Sequence, residues 1–225
     1  MGLAVRRRSR PRGATRRAQI LDAAMAVFLE HGYAGATVEL VVQRAQASKA
    51  TIYSFFGGKE GLFDALIDER AERILAGFTD VDRATVNVRA ALGHIAQRYL
   101  EVAMAPEAIA LYRLLVTEGP RYPELVQGVF RIGQDRVVAS LGKALRTWAT
   151  RGRIRAVDPD RIATQFLAAV RGDLHLRAMA GLLPDDLEKA IERSVDDAVE
   201  TFWRALSPKA ERGLGPSGLV PSNTN

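Results

Sequence analysis

The chain has no cysteine in its 225 residues, which excludes disulfides and any zinc, iron–sulfur or nucleophilic site that depends on a thiolate. Long apolar stretches are missing too: the longest runs span a few residues, against the roughly 18–20 needed to cross a bilayer. Arginines crowd the N-terminus, but no apolar segment follows them as it does in a secretory signal. The expected location is the cytoplasm, with no membrane partner. Strand signals are scarce, with no Asn-Gly or Asp-Gly pair and no sustained alternation of apolar and polar residues. A G-x-S-x-G nucleophile motif and a phosphate-cradling glycine motif are absent, and no carboxylate pair has a setting suited to acid–base work. No enzymatic activity is expected. Of the three histidines, His94 and His175 fall on different helices, and Asp173 and His175, two apart, point to different helix faces. No metal and no cofactor is expected.

Apolar residues make up 48% of the chain and charged residues 26%, enough for a substantial core in one domain or in a small domain joined to a larger one. The formal net charge of +6 is unevenly placed. Residues 1–64 hold ten Lys and Arg against five Asp and Glu, whereas the remaining 161 residues hold 22 against 21. A positive field on the first quarter of the chain suits a polyanion such as nucleic acid, or an anionic membrane surface. For residues 6–17 alone, a solubilising tail is an equally good reading.

Helical periodicity dominates, so the fold class is all-α, with about nine helices. Residues 1–13, with five arginines, Pro11 and Gly13, read as a flexible arm. Ile20, Ala24, Val27 and Phe28 mark one face of a first helix that Gly32 can end. Thr37 is placed to cap a short second helix, and Ser48 a short third one that runs to about Phe55. Gly57-Gly58 break the chain before a helix that starts near Lys59. Longer helices are expected over about 84–104, from Pro106 to Gly119-Pro120, from Pro123 to Gly152, from Asp158-Pro159 to Gly181, and from Pro184 to about Leu206.

The informative stretch is 37–63, TVELVVQRAQASKATIYSFFGGKEGLF. Two short helices joined through Ala45-Gln46-Ala47 are too close to lie antiparallel, and with a longer supporting helix they form the geometry that presents a second helix to the DNA major groove. Thr37, Lys49, Thr51, Tyr53 and Lys59 supply donors for phosphate oxygens. Ala47 and Ala50 permit close approach, and Ala50, Thr51 and Ser54 lie on the side that faces base edges. Gln46, Ser48 and Phe55 complete the candidate DNA-contacting set.

These residues closely resemble the DNA-binding domain of the TetR family of transcriptional regulators. The match covers Phe28…Gly32-Tyr33, Thr37, Ala45, Ser48-Lys49-x-Thr51-Ile52-Tyr53, Phe55-Phe56, Lys59-Glu60 and Leu62-Phe63. Four positions depart from the family pattern: Gln46 where the turn usually has Gly, Ala50 for a common Gly, and Gly57-Gly58 for a frequent Pro-Ser. At positive φ, Gln costs on the order of 1 kcal/mol relative to Gly, unless it is retained to reach a phosphate. Residues 111–125 and 165–177 resemble a C-terminal subgroup related to regulators of multidrug efflux.

The resemblance implies a three-helix helix-turn-helix DNA-binding domain over 14–62 and a helical ligand-binding and dimerisation domain over 63–207; residues 208–225, rich in Gly, Pro, Ser and Asn, are expected to be a disordered tail. It also implies a homodimer that reads a palindromic operator on double-stranded DNA and responds to a small-molecule effector, most simply as a repressor that the effector relieves. Position alone nominates Tyr99, Met104, Tyr112, Phe130, Trp148, Phe166, Arg171 and His175 as pocket-lining. Phe166, Ala169, Val170, Ile191, Val195, Phe202 and Trp203 carry more apolar surface than one protomer easily buries, and are the candidate dimer interface. The alternative is a small-molecule binding or sequestering protein that keeps the fold without specific operator recognition.

Overall fold

The computed structural model describes residues 12–78 and 87–208, with side chains described from residue 16 onward. Among the described residues every regular element is helical, and no helix is long and apolar enough to cross a membrane. Residues 1–11 of the expected arm lie outside the described residues, while Arg12 and Gly13 already belong to the first helix. Residues 209–225 of the expected tail, and position 84 where a helix was expected to begin, lie outside them as well.

The chain divides into two compact units. The first contains the described residues up to Glu72 together with Ala105–Asp135; the second contains Arg73–Met104 and the residues from Arg136 onward. This differs from the boundary at 62/63 that the sequence suggests. In the first unit, α1 (Arg12–Gly35), α2 (Val38–Ala45), α3 (Lys49–Phe56) and α4 (Lys59–Leu75) as far as Glu72 are joined by α6 (Pro106–Glu118) and α7 (Pro123–Gly128). One core explains the grouping: Ile20, Leu21, Ala24, Val27 and Phe28 are buried with Val41, Ile52, Leu62, Phe63, Leu111, Leu115 and Leu125. The apolar stripe of α6 covers the supporting helix directly.

In the second unit, α5 (Val88–Met104) packs against α9 (Pro159–Arg171), α10 (Leu174–Met179) and α11 (Leu187–Leu206), and α9 also packs against α11. Asn87 caps α5, its side chain accepting from the Ala90 N–H at 3.2 Å. Asp158 does the same for α9 through the Arg161 N–H, with Pro159 at the first helical position. Two boundaries differ from the sequence reading. The helix expected to run to Gly181 breaks at Gly172, whose φ of 49° and ψ of −145° leave the helical region. The last helix starts at Leu187 with Asp186 as its cap, rather than at Pro184. The span from Pro123 to Thr150 is helical as expected, but its middle, Val129–Gln134, is π-helical before α8 (Asp135–Thr150) resumes the α pattern.

Candidate nucleic-acid interface

Each of the two short helices is opened by a hydroxyl. The Leu40 N–H donates to Thr37 Oγ1 at 3.3 Å, and the Thr51 N–H donates to Ser48 Oγ at 3.0 Å. Ser48 and Thr51 also bond to each other through their side chains at 2.7 Å. Both capping residues match the sequence reading, and each cap contributes about 1 kcal/mol. Gln46 takes φ 49°, ψ 41°, the one positive-φ non-glycine among the described residues. The turn therefore keeps the left-handed geometry that glycine would adopt freely, at a cost of about 1 kcal/mol. The Gly57 N–H closes α3 on the Tyr53 carbonyl at 2.9 Å.

Ile52 is fully buried and fixes one side of α3 to the core. The opposite side is open: Tyr53 is 51% and Phe55 46% exposed, with Lys49, Ala50 and Ser54 exposed beside them. Eight residues give α3 a length of about 12 Å, enough to lie in a major groove. An exposed tyrosine and phenylalanine beside hydroxyls and small side chains are costly on an idle surface and useful on a helix that docks.

The lysines are placed differently from each other. Lys49 at the start of α3 is ion-paired with Glu39 on α2, which raises the lysine's pKa and lowers that of the carboxylate. Lys59 departs further from its expected phosphate-binding role. Its ammonium sits 4.2 Å from the centroid of the Tyr33 ring and 3.5 Å from the Ala34 carbonyl. Burial lowers its pKa, and Glu118 opposes that shift. Lys59 is thus drawn against its own unit.

Four other residues hold the motif and were not singled out from the sequence. Arg16 of α1 donates to the Ala45 carbonyl at 3.1 Å and to the Gln46 carbonyl. Arg17 stands 5.5 Å from the Phe56 ring centroid. Glu39 pairs Lys49. Glu118 accepts from the backbone N–H groups of Tyr33 at 2.8 Å and Ala34 at 2.9 Å. That clamp sits where Gly32, at φ 68°, interrupts α1; a Cβ there would lie 2.4 Å from Glu118 Oε1. Beside it, Tyr33 stacks on Phe28 at 5.7 Å and meets Phe63 and Tyr122 edge-on at 5.7 and 5.2 Å. Burial, and then the nearby Glu60, Glu124 and Asp64, push the Tyr33 pKa up to about 12. Glu118 did leave a trace in the sequence: a carboxylate at the last position of a helix opposes the helix dipole and points to an outside partner.

The remaining expected sites are only partly assembled. Tyr99, Met104, Trp148, Phe166 and His175 are buried in the second unit, and the Arg171 guanidinium stands 6.0 Å from the Tyr99 ring centroid. Tyr112 and Phe130 belong to the first unit, and Phe130 is half-exposed, so the eight residues do not come together within one unit. Of the expected dimer surface, Phe166, Val170, Ile191 and Val195 are buried within the single chain, because α9 and α11 turn these faces onto α5 and each other. Ala169 is exposed, while Phe202 and Trp203 are partly so.

Comparison with known proteins agrees with this geometry. Residues 20–66 match the family model described as bacterial regulatory proteins, tetR family, and residues 90–207 match that of the AefR-like transcriptional repressor C-terminal domain. The HTH-type transcriptional repressor AcnR of Corynebacterium diphtheriae is 30% identical over 193 residues, covering 86% of this chain and 94% of its own. Among solved structures, a TetR-family transcriptional regulator of Mesorhizobium loti superposes with a TM-score of 0.75 at 27% identity, covering 88% of this chain and 100% of its own. The flavonoid-responsive regulator FrrA gives 0.70 at 28% identity, with 87% and 99% covered. Together with the exposed face of α3, these matches show that the chain belongs to the TetR family of helix-turn-helix, DNA-binding transcriptional repressors.

Proposed function

We propose that the chain works in the cytoplasm as a homodimer that binds a palindromic operator through two copies of α3 and releases it when a small molecule occupies the second helical unit. The observation that carries this reading is the two-sided character of α3: Ile52 locked in the core, Tyr53 and Phe55 left open with Ala50 and Ser54 between them. Thr37, Lys49, Thr51 and Tyr53 are assigned to phosphates and Ala50 and Ser54 to base edges, with the two α3 helices roughly 34–36 Å apart. The exposed sides of α9 and α11, with Ala169, Phe202 and Trp203, are assigned to the dimer contact.

For the effector, the buried Tyr99, Trp148, Phe166 and His175, with Arg171 beside them, offer an aromatic lining with polar anchors. The likeness to a flavonoid-responsive regulator makes a flat polyphenol the first class to test. An effector whose affinity differs by about 1–3 kcal/mol between the two forms changes operator affinity 5- to 150-fold. The test is a mobility shift on the DNA upstream of the chain's own gene, with the oligomeric state measured by sedimentation. Binding by the dimer, loss with Tyr53→Ala at unchanged melting temperature, and release by a flavonoid are the expected results. A folded dimer that shifts no palindromic probe at low salt would refute operator recognition, and a monomer would refute the assembly.

A further inference from the structure

We infer that Arg16 is a positioning residue for DNA recognition: it holds the left-handed turn at Gln46 and thereby sets the direction in which α3 leaves α2. The argument starts from the strain. Gln46 occupies a backbone region that a side chain disfavours, so the turn on which α3 depends is uphill for this sequence. The carbonyls of Ala45 and Gln46 sit at the negative end of the α2 dipole. The Arg16 guanidinium, thirty residues away in sequence from Gln46, donates one bond to each. A planar charged fork across two successive carbonyls restrains two peptide planes relative to each other about the Gln46 Cα, which a single donor cannot do.

A second observation lies one residue on. Arg17 reaches the Phe56 ring at the far end of α3. Successive residues of a helix point about 100° apart, so α1 holds the turn before α3 with one arginine and the end of α3 with the next. Arg16 itself is half-buried in a groove lined by Gln19, Asp22, Ala23 and Arg44. The sequence alone counts both arginines only in the positive charge of the first quarter of the chain. The structure assigns them to the protein's own backbone and ring.

The two roles predict different salt behaviour. The probe is a DNA duplex that the full-length wild-type protein selects from a randomised pool, with binding measured between 50 and 200 mM salt. As a positioning residue, Arg16→Ala lowers affinity about five- to tenfold without changing the log–log salt slope. In a Gln46→Gly background the turn carries no strain, and the same substitution costs less than about threefold. Arg16→Lys, which keeps the charge but not the fork, recovers little affinity. A salt slope flattened by about 0.9, equal losses in both backgrounds, or full rescue by lysine would make Arg16 a phosphate contact and overturn the inference. Wild-type affinity in Arg16→Ala would overturn it too. If Arg16→Ala does not fold, Arg16→Lys carries the test: affinity lowered at an unchanged salt slope supports the inference, and wild-type affinity overturns it.

Discussion

The two units are built by different means. The second is made mainly of long helices whose apolar stripes face one another, with its side chain–backbone bonds chiefly at helix starts such as Asn87, Asp158 and Asp186 and charge pairs such as Arg89–Glu200 at 2.6 Å on its surface. The first holds short helices that could not stand alone, and it fixes them with polar side chains aimed at backbone: Glu118 on Tyr33 and Ala34, Arg16 on Ala45 and Gln46, Thr37 and Ser48 on their own helix starts. Apolar burial gives the second unit its stability. In the first, directional bonds also give α3 its orientation, which is what reading DNA requires.

The sharpest way to break this contrast is Glu118→Ala, which removes a charged acceptor from two backbone donors at once. It is expected to destabilise the first unit by about 2–3 kcal/mol in denaturant titration, and a loss below about 0.5 would show the clamp to be incidental. On the DNA face, Glu39→Gln frees Lys49 from its ion pair and is expected to steepen the salt dependence of binding by up to about 0.9, whereas Lys49→Ala flattens it. Opposite or null slopes would take Lys49 off the phosphates. In the second unit, burial first and Arg171 second lower the His175 pKa below its ordinary 6.5. The unfolded chain then binds more protons than the folded one, so stability is complete above about pH 6.5 and falls as the pH drops through the window below it. His175→Gln should flatten the decline in melting temperature between pH 7 and 5. The smallest effect is expected for Arg89→Ala, under about 1 kcal/mol, because both partners are largely exposed.

The legible parts of the sequence were those whose cause is local. Thr37, Ser48 and Asp158 announced helix starts because a capping side chain acts within three residues of itself. The break at Gly172 was not legible. The apolar register of Phe166 and Val170 continues through Leu174, and a glycine within such a run is compatible with an unbroken helix. The start of α11 slipped by a few residues because Pro184 reads as a first helical residue with Asp185 and Asp186 in the turn after it, whereas Asp186 stands outside the helix as its cap. The setting of Lys59 was not legible for another reason: nothing in its neighbourhood in sequence reveals the Tyr33 ring, 26 positions back, that draws its ammonium inward. The return of α6 and α7 to the first unit was hidden similarly, since the partners of Phe28 and Tyr33 on α6 and beside α7 lie more than eighty residues downstream.

The Glu118 clamp also bears on how such a protein can be recombined. A helix-turn-helix is commonly treated as a cassette that can be cut after its last helix and grafted onto another effector-responsive partner. Here the cassette is discontinuous. Its supporting helix is closed by a carboxylate that the chain delivers only after leaving for α5 and returning, and the Tyr33 ring is covered by Tyr122 from the same returning segment. A graft that carries residues 14–62 alone would strip Phe28 and Tyr33 of the Phe63 ring that packs on both, and would leave the Tyr33 and Ala34 amides without their acceptor. Exchange of DNA specificity between relatives is then confined to the few open positions of α3, while the rest of the first unit must be inherited with α6 and α7.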